Sequence, residues 1–135
     1  TPDWVTAALI PHLPAMSHPW PTIWEPACGF GAMCKSLSVR MAFCPVYGTD
    51  LQTGVDFLLT SEPVFETHAI ITNPPYTHAT EFCEHALRLM EPVAGVVAML
   101  LNTNFAHAKS RQYLFRDCPA YAKKVELQKR ITWFK

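Results

Sequence analysis

The segment best suited to chemistry is Asn73-Pro74-Pro75-Tyr76, which directly follows the apolar run Ala69-Ile70-Ile71-Thr72. The run predicts a buried strand, and the two prolines end it because they fix φ and lack an amide donor. An amide side chain offers one acceptor and two donors, and an aromatic face can stack on a flat group. The segment therefore predicts a rigid platform for a planar group that bears an NH2. The alternative is a Pro-Pro loop that only ends a strand.

Three acidic side chains accompany the strands that precede this platform. Glu25 ends a short apolar strand and leads into the turn Gly29-Phe30-Gly31, which opens a helix. A carboxylate at this point repels a pyrophosphate, so the turn suits a ligand that carries an ammonium group. Asp50 ends the second predicted strand and can accept hydrogen bonds from both hydroxyls of a ribose. Asp56 can accept one from an adenine amino group while Phe57 packs on the ring.

Each of these features also has a purely structural interpretation. The glycine turn can be a tight connection between a strand and a helix, since it lacks the third glycine of the dinucleotide-binding pattern. Asp50 can be a turn aspartate beside Gly48, and Asp56 can be a helix N-cap. Taken together, an amine, a ribose and an adenine without a phosphate describe S-adenosyl-L-methionine as the ligand.

The platform would then hold an amine beside the methyl group of this donor. Hydrogen bonds from the amine to the Asn73 amide oxygen and the Pro74 carbonyl would localise its lone pair, and Tyr76 would stack on the base. Positioning in line supplies most of the rate of such a direct transfer. An amide cannot act as a base, so the proton is expected to leave to water.

At these motifs the chain resembles class I S-adenosylmethionine-dependent amino-methyltransferases, in particular the adenine-specific DNA methyltransferases of phage and bacteria. The segment Thr1-Pro2-Asp3-Trp4 resembles the leading cofactor-binding motif of that family. Residues 25–31 resemble its glycine motif, and residues 73–76 resemble its catalytic motif. Asp50 matches the ribose acid, and Asp56-Phe57 matches the adenine contact. The order of the motifs also matches, and the resemblance covers most of the chain.

The resemblance implies a Rossmann-like methyltransferase fold, in which a mostly parallel sheet carries helices on both faces. It implies methyl transfer to the exocyclic amino group of adenine in DNA, with S-adenosyl-L-homocysteine as the product and no metal. The implied catalytic residues are Asn73, Pro74, Pro75 and Tyr76. The implied cofactor-binding residues are Thr1, Pro2, Trp4, Glu25, Pro26, Ala27, Cys28, Gly29, Gly31, Asp50, Leu51, Asp56, Phe57 and Asn73. The implied substrate-binding residues are Tyr76, His78, Asn104 and Phe105, although His78 can also be a solvated first-turn histidine and Asn104 a plain helix cap.

Two departures from the family keep the substrate open. We expect one domain over residues 1–135 without a separate target-recognition domain, whereas enzymes that extrude a base need surface to hold the duplex. The final edge strand of the sheet is also expected to be incomplete. The catalytic motif resembles that of protein-glutamine and some RNA methyltransferases as well. A non-catalytic module that binds S-adenosylmethionine or nucleic acid is the third interpretation.

The composition favours a single packed domain. Of 135 residues, 50% are hydrophobic and 16% are charged, which argues against disorder. No apolar run approaches the length of a membrane span and no signal peptide is recognisable, so we expect a cytoplasmic protein of a bacterial or phage-infected cell. Five cysteines without a C-x-x-C pair predict neither a disulfide framework nor a zinc site.

Charge is distributed unevenly along the chain. Residues 1–104 hold three basic and nine acidic side chains, and residues 105–135 hold eight basic and two acidic ones, which gives −6 against +6. The basic C-terminal third predicts contact with a polyanion, DNA in the first interpretation, and a solvated basic face is the alternative. An exposed edge with Trp133 and Phe134 is a predicted homodimer contact.

The predicted helices and strands alternate. Thr1 is the predicted N-cap of a first helix, with Pro2 at its first helical position. Strands are predicted at 22–25, 45–50, 68–72, 93–101 and 124–127, and further helices at 32–41, 77–90 and 105–116. This alternation predicts an α/β fold with a mostly parallel sheet.

Overall fold

Four parallel strands lie at the centre of the fold in the computed structural model, which describes residues 1–16 and 18–131. They are β1 (Ile23–Glu25), β2 (Val46–Gly48), β3 (Ala69–Thr72) and β4 (Val96–Met99). Their order across the sheet is β2-β1-β3-β4, and each neighbouring pair is parallel. The predicted α/β class with a parallel sheet is therefore confirmed. Because the strands are parallel, their carboxyl ends lie along one edge of the sheet.

Helices cover both faces of this sheet. They are α1 (Asp3–Leu9), α2 (Ala32–Arg40) and α3 (Ala79–Met90). Trp24 and Ile70 pack with α3, whereas Ile23 and Ile71 pack with α2 and with the end of α1. Successive strand residues point to opposite faces, so β1 and β3 are apolar at neighbouring positions because both of their faces are covered. In residues 1–16 and 18–131, no helix has both the length and the apolar character needed to cross a membrane.

The helix α3 follows the platform Asn73-Pro74-Pro75-Tyr76 along the chain. Its residues Phe82, Cys83, Ala86 and Met90 are buried, and their spacing places them on one face of a helix. The α-helix starts at Ala79, two residues later than predicted, because residues 76–78 form a single 3-10 turn. The platform is therefore anchored on both sides, by β3 before it and by α3 after it.

The first helix begins one residue later than predicted. Pro2 is the N-cap and α1 starts at Asp3, so the predicted capping role of Thr1 is wrong. The Asp3 carboxylate accepts hydrogen bonds from Ser36 and Arg40 of α2, which fixes the start of α1 against that helix. Thr1 instead reaches the site, where its Oγ1 accepts a hydrogen bond of 3.2 Å from Asn73 Nδ2.

The predicted helix at 105–116 does not form. Short 3-10 helices at Phe105–His107 and Lys109–Leu114 take its place. Arg111 Nη1 donates a hydrogen bond of 2.9 Å to the carbonyl of Phe105, and this side chain occupies the acceptor that a backbone amide would use in an α-helix.

The predicted strand at 124–127 does not form either, since within residues 121–131 no residue pairs with the sheet. This segment lies against α1, where Lys129 Nζ is 4.5 Å from the centre of the Trp4 ring. The cation over the ring is a contact between this segment and α1. The predicted dimer contact at Trp133 and Phe134 lies outside the described residues.

Candidate functional site

Polar side chains from three neighbouring strand ends come together at the carboxyl edge of the sheet. Glu25 is the last residue of β1, Asp50 lies two residues beyond β2, and Asn73 directly follows β3. The Thr72 hydroxyl donates a hydrogen bond to Glu25 Oε1 and so links the ends of β1 and β3. The sheet thus positions the side chains that the sequence assigns to an ammonium group, a ribose and a substrate amine.

Glu25 is a buried carboxyl group, with only 2% of its surface exposed. Its Oε1 accepts a hydrogen bond of 3.0 Å from the Ala27 amide in addition to the one from Thr72. Burial raises the pKa of Glu25 to about 7, the nearby Asp50 carboxylate acts in the same direction, and the two hydrogen bonds oppose them. A cation that binds beside this group would favour its ionised form.

Asp50 fixes the glycine turn. Its Oδ2 accepts a hydrogen bond of 2.9 Å from the Gly29 amide, and its Oδ1 accepts another of 2.9 Å from the Gln52 amide. Gly29 and Gly31 have φ values of +53° and +89°, a conformation that glycine adopts without strain. A Cβ at either glycine would meet no atom within 4 Å, so open space borders the turn.

The turn also packs closely on β2. A Cβ added to Gly48 would lie 2.7 Å from Cys28 Cβ and 2.8 Å from Cys34 Sγ, so only glycine fits there. The Cys28 amide donates to the Thr49 carbonyl at 3.0 Å, and Thr49 Oγ1 accepts from Trp24 Nε1 at 2.9 Å. Burial raises the pKa of the Cys34 thiol to about 12, which makes it a structural rather than a reactive group.

Asp56 has the helix-capping position that is its structural interpretation, and Phe57 lies in the core. Asp56 Oδ1 accepts a hydrogen bond of 3.0 Å from the Leu58 amide and caps a short 3-10 helix, Phe57–Leu59. Phe57 is 2% exposed and packs between Trp24 and Phe82, with ring centres 5.2 and 4.8 Å away. The expectation that its ring lies open to stack on adenine is therefore wrong, because the ring completes the core between the sheet and α3.

The platform presents an acceptor and an aromatic ring to solvent. Asn73 is half-buried, and because its Nδ2 donates to Thr1, its Oδ1 is the atom without a hydrogen-bond partner among the described residues. Pro74 is buried, whereas Pro75 and Tyr76 are exposed, Tyr76 with 72% of its surface. The geometry leaves one amide oxygen and one aromatic face available to a ligand.

A cleft of about 400 Å³ lies beside the platform, between the first turn of α3 and the segment that follows β4. Of the predicted substrate residues, Tyr76, Asn104 and Phe105 line it, and His78 is exposed outside it. Asn104 is the N-cap residue of the 3-10 helix Phe105–His107, as expected, but its side chain makes no capping hydrogen bond. Arg111 also lines the cleft, and no sequence pattern indicated this position, because the residue lies in a segment expected to be a regular helix.

The remaining predicted cofactor residues are spread over the same edge and beyond it. Pro26 is buried and Ala27 half-buried behind the glycine turn, and Leu51 is 70% exposed beside Asp50. Trp4 lines a separate open cleft of about 530 Å³, between α1 and residues 125–129. Among residues 1–16 and 18–131, no group of three His, Cys, Asp or Glu side chains lies close enough to hold a metal ion.

Comparison with known proteins gave no relative for this chain. No protein-family model matches it, and no curated protein and no solved structure matches it at a significant level. The site is therefore interpreted from its own geometry.

Proposed function

We propose that this chain is a methyltransferase with a Rossmann-like domain, which moves a methyl group from S-adenosyl-L-methionine to the exocyclic amino group of adenine in DNA. The observation that carries the proposal is the arrangement of Glu25, Asp50 and Asn73 at adjoining strand ends, beside a turn with open space around its glycines. Ligands of parallel sheets bind at this edge.

The residues of the donor half fit the methyl donor. Glu25 is a buried carboxyl group with no cationic partner among the described side chains, which suits an ammonium group. Asp50 uses one hydrogen bond on each oxygen, and each oxygen keeps a lone pair for a ribose hydroxyl. Gly29 and Gly31 let the ligand approach the backbone. S-adenosylmethionine supplies an electrophilic methyl group on a sulfonium centre when it is bound.

The residues of the acceptor half orient the amine. Asn73 Oδ1 and the Pro74 carbonyl accept its two N–H groups, so that its lone pair is directed at the methyl carbon. Tyr76 stacks on the base, and its exposure leaves the ring face free for this contact. Asn73 holds the substrate but takes no proton, since an amide is not a base at neutral pH, and the proton passes to water.

A labelling experiment tests the proposal. The native chain is incubated with methyl-labelled S-adenosylmethionine and a mixture of DNA, RNA and protein, and the label is located after digestion. We expect N6-methyladenine in DNA from the native chain and about a 100-fold lower rate from Asn73→Ala. Gln128→Ala removes an exposed amide outside the cleft beside Tyr76 and serves as the matched control.

Three outcomes would decide against the proposal. Label found only in protein would support a protein-glutamine methyltransferase, and label found only in RNA would support an RNA methyltransferase. Binding of the donor without turnover in either the native chain or Asn73→Ala would identify a non-catalytic module. Equal rates for the native chain and Asn73→Ala would show that the Asn73 side chain takes no part in the reaction.

A further inference from the structure

We propose that Arg111 forms a phosphate-binding subsite in the cleft beside Tyr76, which holds a phosphate next to the nucleotide whose base is methylated. This inference rests on the proposed function and deepens it, since it selects a nucleic acid over a protein glutamine as the substrate.

The guanidinium of Arg111 is held in a fixed plane. Its Nη1 donates a hydrogen bond of 2.9 Å to the Phe105 carbonyl, and its central carbon lies 4.2 Å from the centre of the Phe105 ring. Phe105 is itself 8% exposed and packs against Phe115, with 5.8 Å between ring centres. A guanidinium fixed at two points loses less side-chain entropy when it binds an anion.

The charge of Arg111 has no carboxylate partner among the described residues. Arg111 is also half-buried. Burial raises the pKa of the nearby Cys83 thiol to about 11, the Glu84 carboxylate acts in the same direction, and the Arg111 charge opposes them. A guanidinium carries five N–H donors, and the Phe105 carbonyl uses one of them. Three other basic side chains differ in this respect, since carboxylates pair with Arg40, Arg116 and Lys124.

The cleft combines this cation with groups that suit the rest of a nucleotide. Its volume of about 400 Å³ lies within the usual range of small-molecule sites. Tyr76 offers a ring face for a base, while Thr77, Asn102 and Asn104 offer polar groups around it. A nucleotide carries a flat base and an anion in one molecule, whereas a glutamine side chain carries no charge. Glu81, the one acidic residue of the lining, is exposed to water on the first turn of α3, where solvent screens its repulsion of an anion.

The test uses a DNA oligonucleotide that the native chain methylates, with single phosphates near the target adenine replaced one at a time by neutral methylphosphonates. We expect one replacement to raise KM about 10-fold for the native chain, which is the usual effect of losing a charge-assisted hydrogen bond. Arg111→Gln should raise KM for the unmodified DNA by about the same factor. It should be insensitive to that replacement, because the contact is already lost.

Two further variants separate this role from a structural one. Arg111→Lys keeps the charge and should recover part of the affinity and of the sensitivity to the methylphosphonate. Arg116→Gln removes a charge that Asp117 already pairs, outside the cleft, and should keep the full sensitivity. The subsite is overturned if Arg111→Gln remains as sensitive as the native chain, or if it lowers kcat with KM unchanged. A native chain that methylates no DNA contradicts the proposed function itself, and this result is obtained before any Arg111 variant is measured.

Discussion

Replacement of Glu25 by glutamine should make the stability of the fold less dependent on pH. In the folded chain, burial raises the pKa of this carboxyl to about 7 from an ordinary value of 4.5. Between these values the folded state binds more protons than the unfolded state, so the free energy of unfolding falls as pH rises. This loss of stability, which comes from ionising the buried carboxyl, is absent below pH 4.5 and complete above pH 7. With about 1.4 kcal/mol for each pH unit, its full size is about 3 kcal/mol.

The glutamine variant removes only this titration. Its side-chain oxygen can keep the hydrogen bonds from the Ala27 amide and the Thr72 hydroxyl. Its NH2 group adds a buried donor, which costs about 1–3 kcal/mol at every pH if it stays unpaired. The informative quantity is therefore the difference in free energy of unfolding between the two proteins, and how this difference changes with pH. Groups such as Asp3, whose pKa is lowered mainly by its hydrogen bond from Arg40, titrate in both proteins and cancel.

Urea unfolding at a series of pH values from 4.5 to 8 measures this difference. We expect the stability of Glu25→Gln relative to the native chain to improve by about 3 kcal/mol over that range. Calorimetry adds a second readout, because binding of a cationic methyl donor at pH 6 should release about one proton from the native chain and none from the variant. Stability curves that run parallel for the two proteins would refute the argument that Glu25 is protonated in the empty fold near neutral pH.

Three other substitutions or modifications follow from the site. Asp50→Ala removes the acceptor of two backbone amides and should lower the free energy of unfolding by about 2 kcal/mol, with weaker donor binding, as measured by urea unfolding and calorimetry; donor affinity equal to that of the native chain would contradict its role. Tyr76→Phe should keep most of the activity because the ring face remains, whereas Tyr76→Ala should lose about 1–3 kcal/mol of substrate binding; equal kinetics for the two variants would exclude stacking. Burial raises the pKa of Cys34 to about 12, so this thiol should react with iodoacetamide at pH 8 far more slowly in the folded chain than in urea. Peptide mapping measures the labelling, and equally fast labelling of Cys34 in the folded chain would contradict the prediction.

The sheet was predictable because its strands are apolar on both faces. Residues 69–72 have no polar position that must face water, since the threonine that ends the strand is itself buried, and such a run has few alternatives to a buried strand. The C-terminal third was mispredicted for the opposite reason. Between Phe105 and Leu114 the anchoring residues are nine positions apart, and side-chain contacts, such as the one from Arg111 to a backbone carbonyl, decide the conformation.

The proximity of three candidate side chains is predictable, because position along a strand determines it. Glu25, Asp50 and Asn73 follow strands that are parallel neighbours, so their proximity follows from the topology. The sequence predicts an adenine contact at Phe57 because the pattern of an acid followed by an aromatic residue does not distinguish a ring that faces a ligand from a ring in the core. The contact between Thr1 and Asn73 joins residues 72 positions apart in the sequence. Local sequence patterns do not predict a contact between residues so far apart along the chain.

The hydrogen bond from Thr72 to Glu25 has a consequence for how two ligands would communicate. It joins Glu25, the last residue of β1, to Thr72, the residue that immediately precedes Asn73. When Glu25 becomes ionised, this bond becomes charge-assisted and stronger. A ligand that changes the charge of Glu25 therefore changes the rigidity of the backbone that carries Asn73. Thermodynamic linkage makes such coupling reciprocal, so a ligand bound beside Glu25 and a ligand bound at Asn73 would each alter the affinity for the other.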